Sequence, residues 1–206
     1  MTKRYWILVA AIALAAAVAG MYLARSLDQP VVQLESGTAL PVPGELAAFS
    51  LIDTEGKPVS PAQLRGHATL VFFGFTYCPD VCPTTLAKLA SVQKEVKVPG
   101  LKVALITVDP ERDTPEQLGK YISSFGGEFI GLTGSPPEIV KAQKSFGVAA
   151  SRVELAGGGY TMDHSATVFL LDSQARKVAV FTPPLRADAI VRDLVKLSPT
   201  LGGAGS

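Results

Sequence analysis

Apolar and polar positions change their period several times along the chain, and each change predicts an element. The first pattern is a run without charge, "YWILVAAIALAAAVAGMYLA", from Tyr5 to Ala24. About 20 apolar residues cross a bilayer as a helix. Tyr5, Trp6 and Tyr22 lie near its ends, where amphipathic rings favour the interface. Lys3 and Arg4 precede the run and Arg25 follows it. Basic residues before the span bias the N-terminus to the cytoplasm and send the remainder outside. "AVA" at Ala17–Ala19 has the small-residue form of a signal-peptide cleavage site. The apolar run continues past it to Ala24, which favours an uncleaved anchor over residues 1–25. Either way the domain is exported. No long Arg- and Ser-rich transit segment comes first, so the expected site is a bacterial inner membrane with the soluble domain in the periplasm.

Residues 26–46 show no clear periodicity and contain Pro30, Pro41 and Pro43, so they are expected to form a tether. Strand and helix patterns then alternate. "FSLIDTEGKPVS" predicts a hairpin turning at Glu55-Gly56. "TLVFFGF" (Thr69 to Phe75) is a continuous apolar run, as in a strand buried on both faces. Helical spacing follows at Leu86, Leu89, Val92 and Val96, and "KVALITV" predicts a second central strand. "TPEQ" at Thr114 and "SPPE" at Ser135 predict capped helix starts with proline in the first turn, and Gly147 a helix stop. "ATVFLLD" and "KVAVF" predict a hairpin turning at Ser173 to Arg176, and a last helix spans roughly 186–197. The fold expected for residues 47–198 is therefore α/β, a central sheet flanked by helices, with a disordered tail over 199–206. A strand running into a cysteine pair at a helix start is the thioredoxin-like arrangement.

Charge adds little. With 19 basic and 18 acidic residues the formal net charge is +1, which points away from nucleic acid. Two cysteines cannot staple a domain, so an ordinary apolar core must hold it together.

Those two cysteines carry the candidate chemistry. They lie in "FTYCPDVCPTTL", as Cys78 and Cys82. Three readings are open for the pair: local disulfide, redox couple or metal ligands. A disulfide closing so short a loop constrains little of the unfolded chain. Cys82 at a helix start and Cys78 in the loop before it lie where backbone N–H groups and the helix dipole favour anions, so both thiol pKa values are expected to fall. An exported thiol pair tends to oxidise, so it needs a reductant or a metal that holds it.

The candidates for a third ligand are His67, His164 and the methionines, of which Met1 and Met21 belong to the anchor region and Met162 lies near His164. His67 precedes the strand that leads to the cysteines, so it belongs at that strand's far end, as a solvated loop histidine. His164 lies in "GGGYTMDHSATVFLLD", at the end of a glycine-bearing loop that a thioredoxin-like fold brings beside the cysteines. A polar loop histidine without a ligand role is the plainer reading of it. Met162 suits a packing role beside the site. Two thiolates with one imidazole select copper or zinc over calcium, magnesium or manganese. Three protein ligands leave room for exchange, whereas structural zinc takes four. Asp80, between the cysteines, is a candidate helix cap or a guide for a partner's metal. Asp109, Glu111 and Arg112 follow a central strand and read as loop-fixing charges. Asp163 is placed to orient His164 or to face solvent.

"FFGFTYCPDVCPTTL", "TVDPERDTPEQL" and "DHSATVFLLD" together resemble the Sco/SenC family, membrane-tethered copper proteins of cytochrome c oxidase assembly. The resemblance covers about 49–197. It implies a thioredoxin-like domain binding one copper, as Cu(I) or Cu(II), through Cys78, Cys82 and His164. It also implies work on the dinuclear copper site of cytochrome c oxidase subunit II, with an upstream periplasmic copper donor or thiol reductant. Some members look mainly like thiol-disulfide oxidoreductases, in which Cys78 and Cys82 are the redox-active pair. A metallochaperone of this kind is not an enzyme in the turnover sense. A thiol peroxidase shares the fold, but C-x-x-x-C with a histidine is not its signature.

Overall fold

The structure, a computed structural model, describes residues 3–27, 32–96 and 98–202. It divides into two compact units, Met1–Val31 and Val32–Ser206. The first contains helix α1, Lys3–Leu27, of 25 residues. Its side chains at 3, 5, 7–9 and 23–27 lie outside the described residues. Among the described residues no helix is long and apolar enough to cross a membrane.

The second unit is built on an eight-stranded sheet. The strands are β1 (Gly37–Gly44), β2 (Leu51–Asp53), β3 (Pro58–Val59), β4 (Thr69–Gly74), β5 (Lys102–Thr107), β6 (Phe129–Thr133), β9 (Val168–Leu171) and β10 (Lys177–Phe181). β7 (Ala150–Glu154) and β8 (Tyr160–His164) form a separate two-stranded sheet. The order in the large sheet is β1-β10-β9-β4-β5-β6-β2-β3. β4 lies near the middle, parallel to β5 and antiparallel to β9. All its residues are buried, as its unbroken apolar run predicts. The helices are α2 (Val81–Glu95), α3 (Pro115–Ser123), α4 (Pro136–Phe146) and α5 (Ala187–Leu197). Phe146 of α4 packs edge-on against Phe73 and Phe169, joining that helix to the sheet's core.

Local signals set most boundaries. The Thr114 side chain accepts the Gln117 N–H at 3.2 Å, and Pro115 opens α3. Gly147 closes α4 with φ at 77°, a left-handed conformation that glycine adopts without a Cβ penalty. Ser135 precedes α4 without the expected side-chain cap.

The expected tether is shorter than the sequence implied. Residues 37–44 form edge strand β1, antiparallel to β10 with Gly37 opposite Phe181 and Ala39 opposite Ala179. An edge strand tolerates Pro41 and Pro43, because a missing N–H there breaks no central ladder. Entry into β1 is fixed by Asp193 on α5, whose side chain is fully buried. Its carboxylate accepts the backbone N–H groups of Glu35 (2.6 Å), Ser36 (2.8 Å) and Gly37 (3.1 Å). Asp193→Ala strands these donors, so thermal melting of the full chain is expected to fall by about 4–8 °C, for a loss of about 2 kcal/mol. An unchanged melting temperature would mean that α5 does not hold this segment.

The expected disordered tail is also partly ordered. Leu201 is buried and its carbonyl accepts the Ser173 N–H at 2.9 Å. Residues 203–206 lie outside the described residues.

Candidate metal centre

β4 delivers the chain to the cysteine loop. Phe75 is buried just past its end, Cys78 is half-buried in the loop, and Cys82 is fully buried in the first turn of α2. A Cβ on Gly74 would lie 2.8 Å from Phe72 Cε1 and 3.0 Å from Cys82 Sγ, so only glycine lets the backbone pass under that sulfur. The Cys82 N–H points at Cys78 Sγ at 3.4 Å. Asp113, fully buried, ties the start of the loop to the end of β5. Its carboxylate accepts the Thr76 N–H (3.1 Å), the Thr76 hydroxyl (2.6 Å) and the Thr107 hydroxyl (2.6 Å).

His164 reaches the same place from the other sheet. It is the last residue of β8, opposite Ala150 of β7, and so belongs to a hairpin strand and not to the expected glycine-bearing loop. Its Nε2 lies 3.5 Å from Cys82 Sγ, and its Nδ1 lies 3.1 Å from the Ser165 carbonyl. A carbonyl only accepts, so the Nδ1–H tautomer turns the Nε2 lone pair towards the sulfurs. Phe72 and Phe75 meet the imidazole edge-on at 6.0 and 5.8 Å between ring centroids. One donor atom from each of Cys78, Cys82 and His164 lies within 4.8 Å of the others.

The electrostatics differ from expectation at Cys82. Burial pushes its thiol well up, with Cys78 and Asp113 adding to the shift, although the Phe75 backbone opposes it. Desolvation outweighs the helix N-terminus, the reverse of the predicted fall. Burial also lowers the His164 pKa, which keeps the imidazole neutral and fit to donate its lone pair. The donor set suits a soft, thiophilic ion whose charge offsets that of ionised sulfur.

The other candidates separate clearly. His67 precedes β4, at the far end of that strand from the cysteines, but it is half-buried and its Nε2 has no partner, unlike a solvated loop residue. Met162 is partly buried against the core. Asp80 is the residue before α2, yet its side chain makes no cap hydrogen bond. Asp163 is exposed, and the imidazole is oriented by donating its Nδ1–H to the Ser165 carbonyl. Asp109 and Arg112 do form an ion pair, as loop-fixing charges should. Sequence reasoning missed Asp113, Thr76, Thr107 and Tyr160. Asp113 sits in a run of charged residues, and nothing in that run marks the one that is buried.

A family model described as SCO1/SenC matches residues 42–198. Protein SCO1 homolog 1, mitochondrial, of Arabidopsis thaliana is 38% identical over 151 residues, covering 72% of this chain and 45% of that protein. The chain thus spans less than half of that relative's length. Among solved structures, Bradyrhizobium japonicum ScoI with copper bound is 40% identical at a TM-score of 0.67, covering 73% of this chain and 98% of that one. Arabidopsis thaliana ScoI with copper bound is 35% identical at a TM-score of 0.70, covering 75% and 98%. With the thioredoxin-like sheet and the Cys-Cys-His cluster in place, these matches make the chain a member of the SCO1/SenC family.

Proposed function

We propose that this chain carries one copper ion between Cys78 Sγ, Cys82 Sγ and His164 Nε2, and delivers it during assembly of the dinuclear copper site in cytochrome c oxidase subunit II. The observation that carries the reading is the convergence of the three donor atoms within 4.8 Å, from a loop, a helix start and a hairpin. Copper-bound structures of two relatives support the choice of metal. Three donors leave the ion open to an incoming ligand, as a carrier requires. In this reading the uncharged run from Tyr5 to Ala24, several of whose side chains lie outside the described residues, anchors the chain in a bacterial inner membrane, the domain works in the periplasm, and a periplasmic donor supplies the copper.

One observation favours a second reading, a thiol-disulfide reductant: Cys78 is half-buried while Cys82 is fully buried. The Cys78 thiolate would attack a disulfide of subunit II or of another exported protein, forming a mixed disulfide and releasing one target thiolate. Cys82 would then attack the Cys78 sulfur and release the second. Two electrons pass to the target, its two sulfurs take up two protons, and the chain is left with a Cys78–Cys82 disulfide for an upstream reductant to reset.

The test uses the full chain in detergent, reduced and metal-free, beside His164→Ala. Each is titrated with Cu(I) against a competing chelator, then with Cu(II) while sulfur-to-copper charge transfer is followed. One tight copper per chain is expected, with Cu(II) held at least about a hundredfold less tightly by the variant, beyond what an outer partner of a ligand is worth. Copper must displace the proton that burial keeps on Cys82, so affinity is expected to rise by about tenfold per pH unit for that proton. Weak binding that ignores the histidine would sink the carrier and leave the reductant.

A further inference from the structure

The β7–β8 hairpin shares no ladder with the eight-stranded sheet, so its hold on the rest of the domain comes from side chains. Ala150 and Met162 pack on the core, Arg152 pairs with Glu111, and one further residue, Arg112, makes several of these contacts at once. The Arg112 guanidinium carbon lies 3.8 Å from the centroid of Tyr160, 4.8 Å from that of Tyr77 and 5.8 Å from that of Phe75. Its Nη1 donates to the Tyr160 carbonyl at 3.1 Å, and its Nε pairs with Asp109. Tyr160 in turn donates its hydroxyl to Asp109 at 2.9 Å. Arg112 Nη2 is buried with no hydrogen-bond partner, which leaves aromatic rings as its surroundings. Tyr77 is the neighbour of Cys78, and Phe75 also touches the His164 ring. Tyr160 opens β8 and His164 closes it, four residues apart on the same face of the strand.

We infer that Arg112 is a positioning residue for His164: it latches the β7–β8 hairpin onto the cysteine loop and sets how firmly the third ligand is held. This rests on the three-ligand reading above. Holding Tyr160 stops the strand from pivoting, so the imidazole arrives already placed and copper binding need not order it. Lysine cannot replace arginine here, because the latch needs a flat guanidinium among rings and a donor to the Tyr160 carbonyl.

Arg112→Lys tests this while leaving Asp109 a cation. In the full chain, Cu(II) affinity is expected to fall by about tenfold, and the nitrogen hyperfine structure in the Cu(II) resonance spectrum to weaken. The melting temperature of the metal-free chain should stay within a few degrees. Tyr160→Phe, which keeps the ring and the carbonyl, should bind within about threefold of the parent. The decisive comparison is the double variant: with His164→Ala present, Arg112→Lys should change affinity by less than about twofold. Parent-like binding by Arg112→Lys, or an equal loss in both backgrounds, would overturn the latch while leaving the three-ligand site intact. Unchanged Cu(II) binding by His164→Ala alone would remove that site, and the latch with it. Should Arg112→Lys lose its native circular dichroism, Tyr160→Leu takes its place in the same cycle, with the same outcomes expected.

Discussion

Serine in place of Cys82 is expected to weaken Cu(I) binding by about a thousandfold or more, read by competition with a chelator in the reduced full chain. An outer partner of a metal ligand is worth about tenfold to a hundredfold, and a soft thiolate is worth more than its partners. The serine hydroxyl is a hard donor that does not ionise near neutrality. Position makes the loss worse. Cys82 is fully buried, and its sulfur fills the space that Gly74 leaves under it. No solvent ligand can enter there as a substitute. Cys78 is half-buried, so water can reach its place, and Cys78→Ser is expected to lose less. Parent-like copper affinity in Cys82→Ser would place the copper elsewhere.

The second large effect belongs to a residue that touches no metal. Asp113→Ala is expected to cost about 3 kcal/mol in denaturant unfolding, because it leaves the Thr76 N–H and two threonine hydroxyls without their acceptor. Asp113→Asn keeps one acceptor oxygen and should lose about 1 kcal/mol. The acid has a pH signature of its own. Burial raises its pKa, although hydrogen bonds from Thr107 and Thr76 oppose the shift. A raised acid binds its proton more tightly in the folded state. The part of its stability that comes from the bound proton is therefore complete below the unfolded carboxyl value of about 4 and is lost as pH rises through the folded one. The parent's advantage over Asp113→Asn should thus be larger at pH 4 than at pH 7. A constant gap would show that Asp113 does not titrate as its burial requires.

The central part of the fold was legible because local and tertiary forces agree there. β4 is apolar on both faces and buried on both, and the run from Thr69 to Phe75 leads straight into the cysteines. Thr114 and Gly147 mark helix ends through their own backbone chemistry. β1 was hidden because an edge strand can carry two prolines and stay half-exposed. β7 and β8 were hidden because four of β7's five residues are exposed and β8 is only half-buried, so neither shows an alternating pattern. His164 therefore read as a loop residue. The Cys82 thiol was misjudged for a related reason. A helix start is visible in sequence, but the full burial of the sulfur, which outweighs it, is set only when the chain has folded.

The separation of the two sheets bears on how such a protein can diverge. The thiols depend on β4, β5 and α2, whose register is locked into the core. The imidazole depends on one short hairpin that is paired only with itself. Substitutions in that hairpin can therefore add, remove or reposition a metal ligand without shifting a residue of the central ladder. Descendants of one such domain can drift between metal handling and pure thiol chemistry, and the core would keep almost no record of the change.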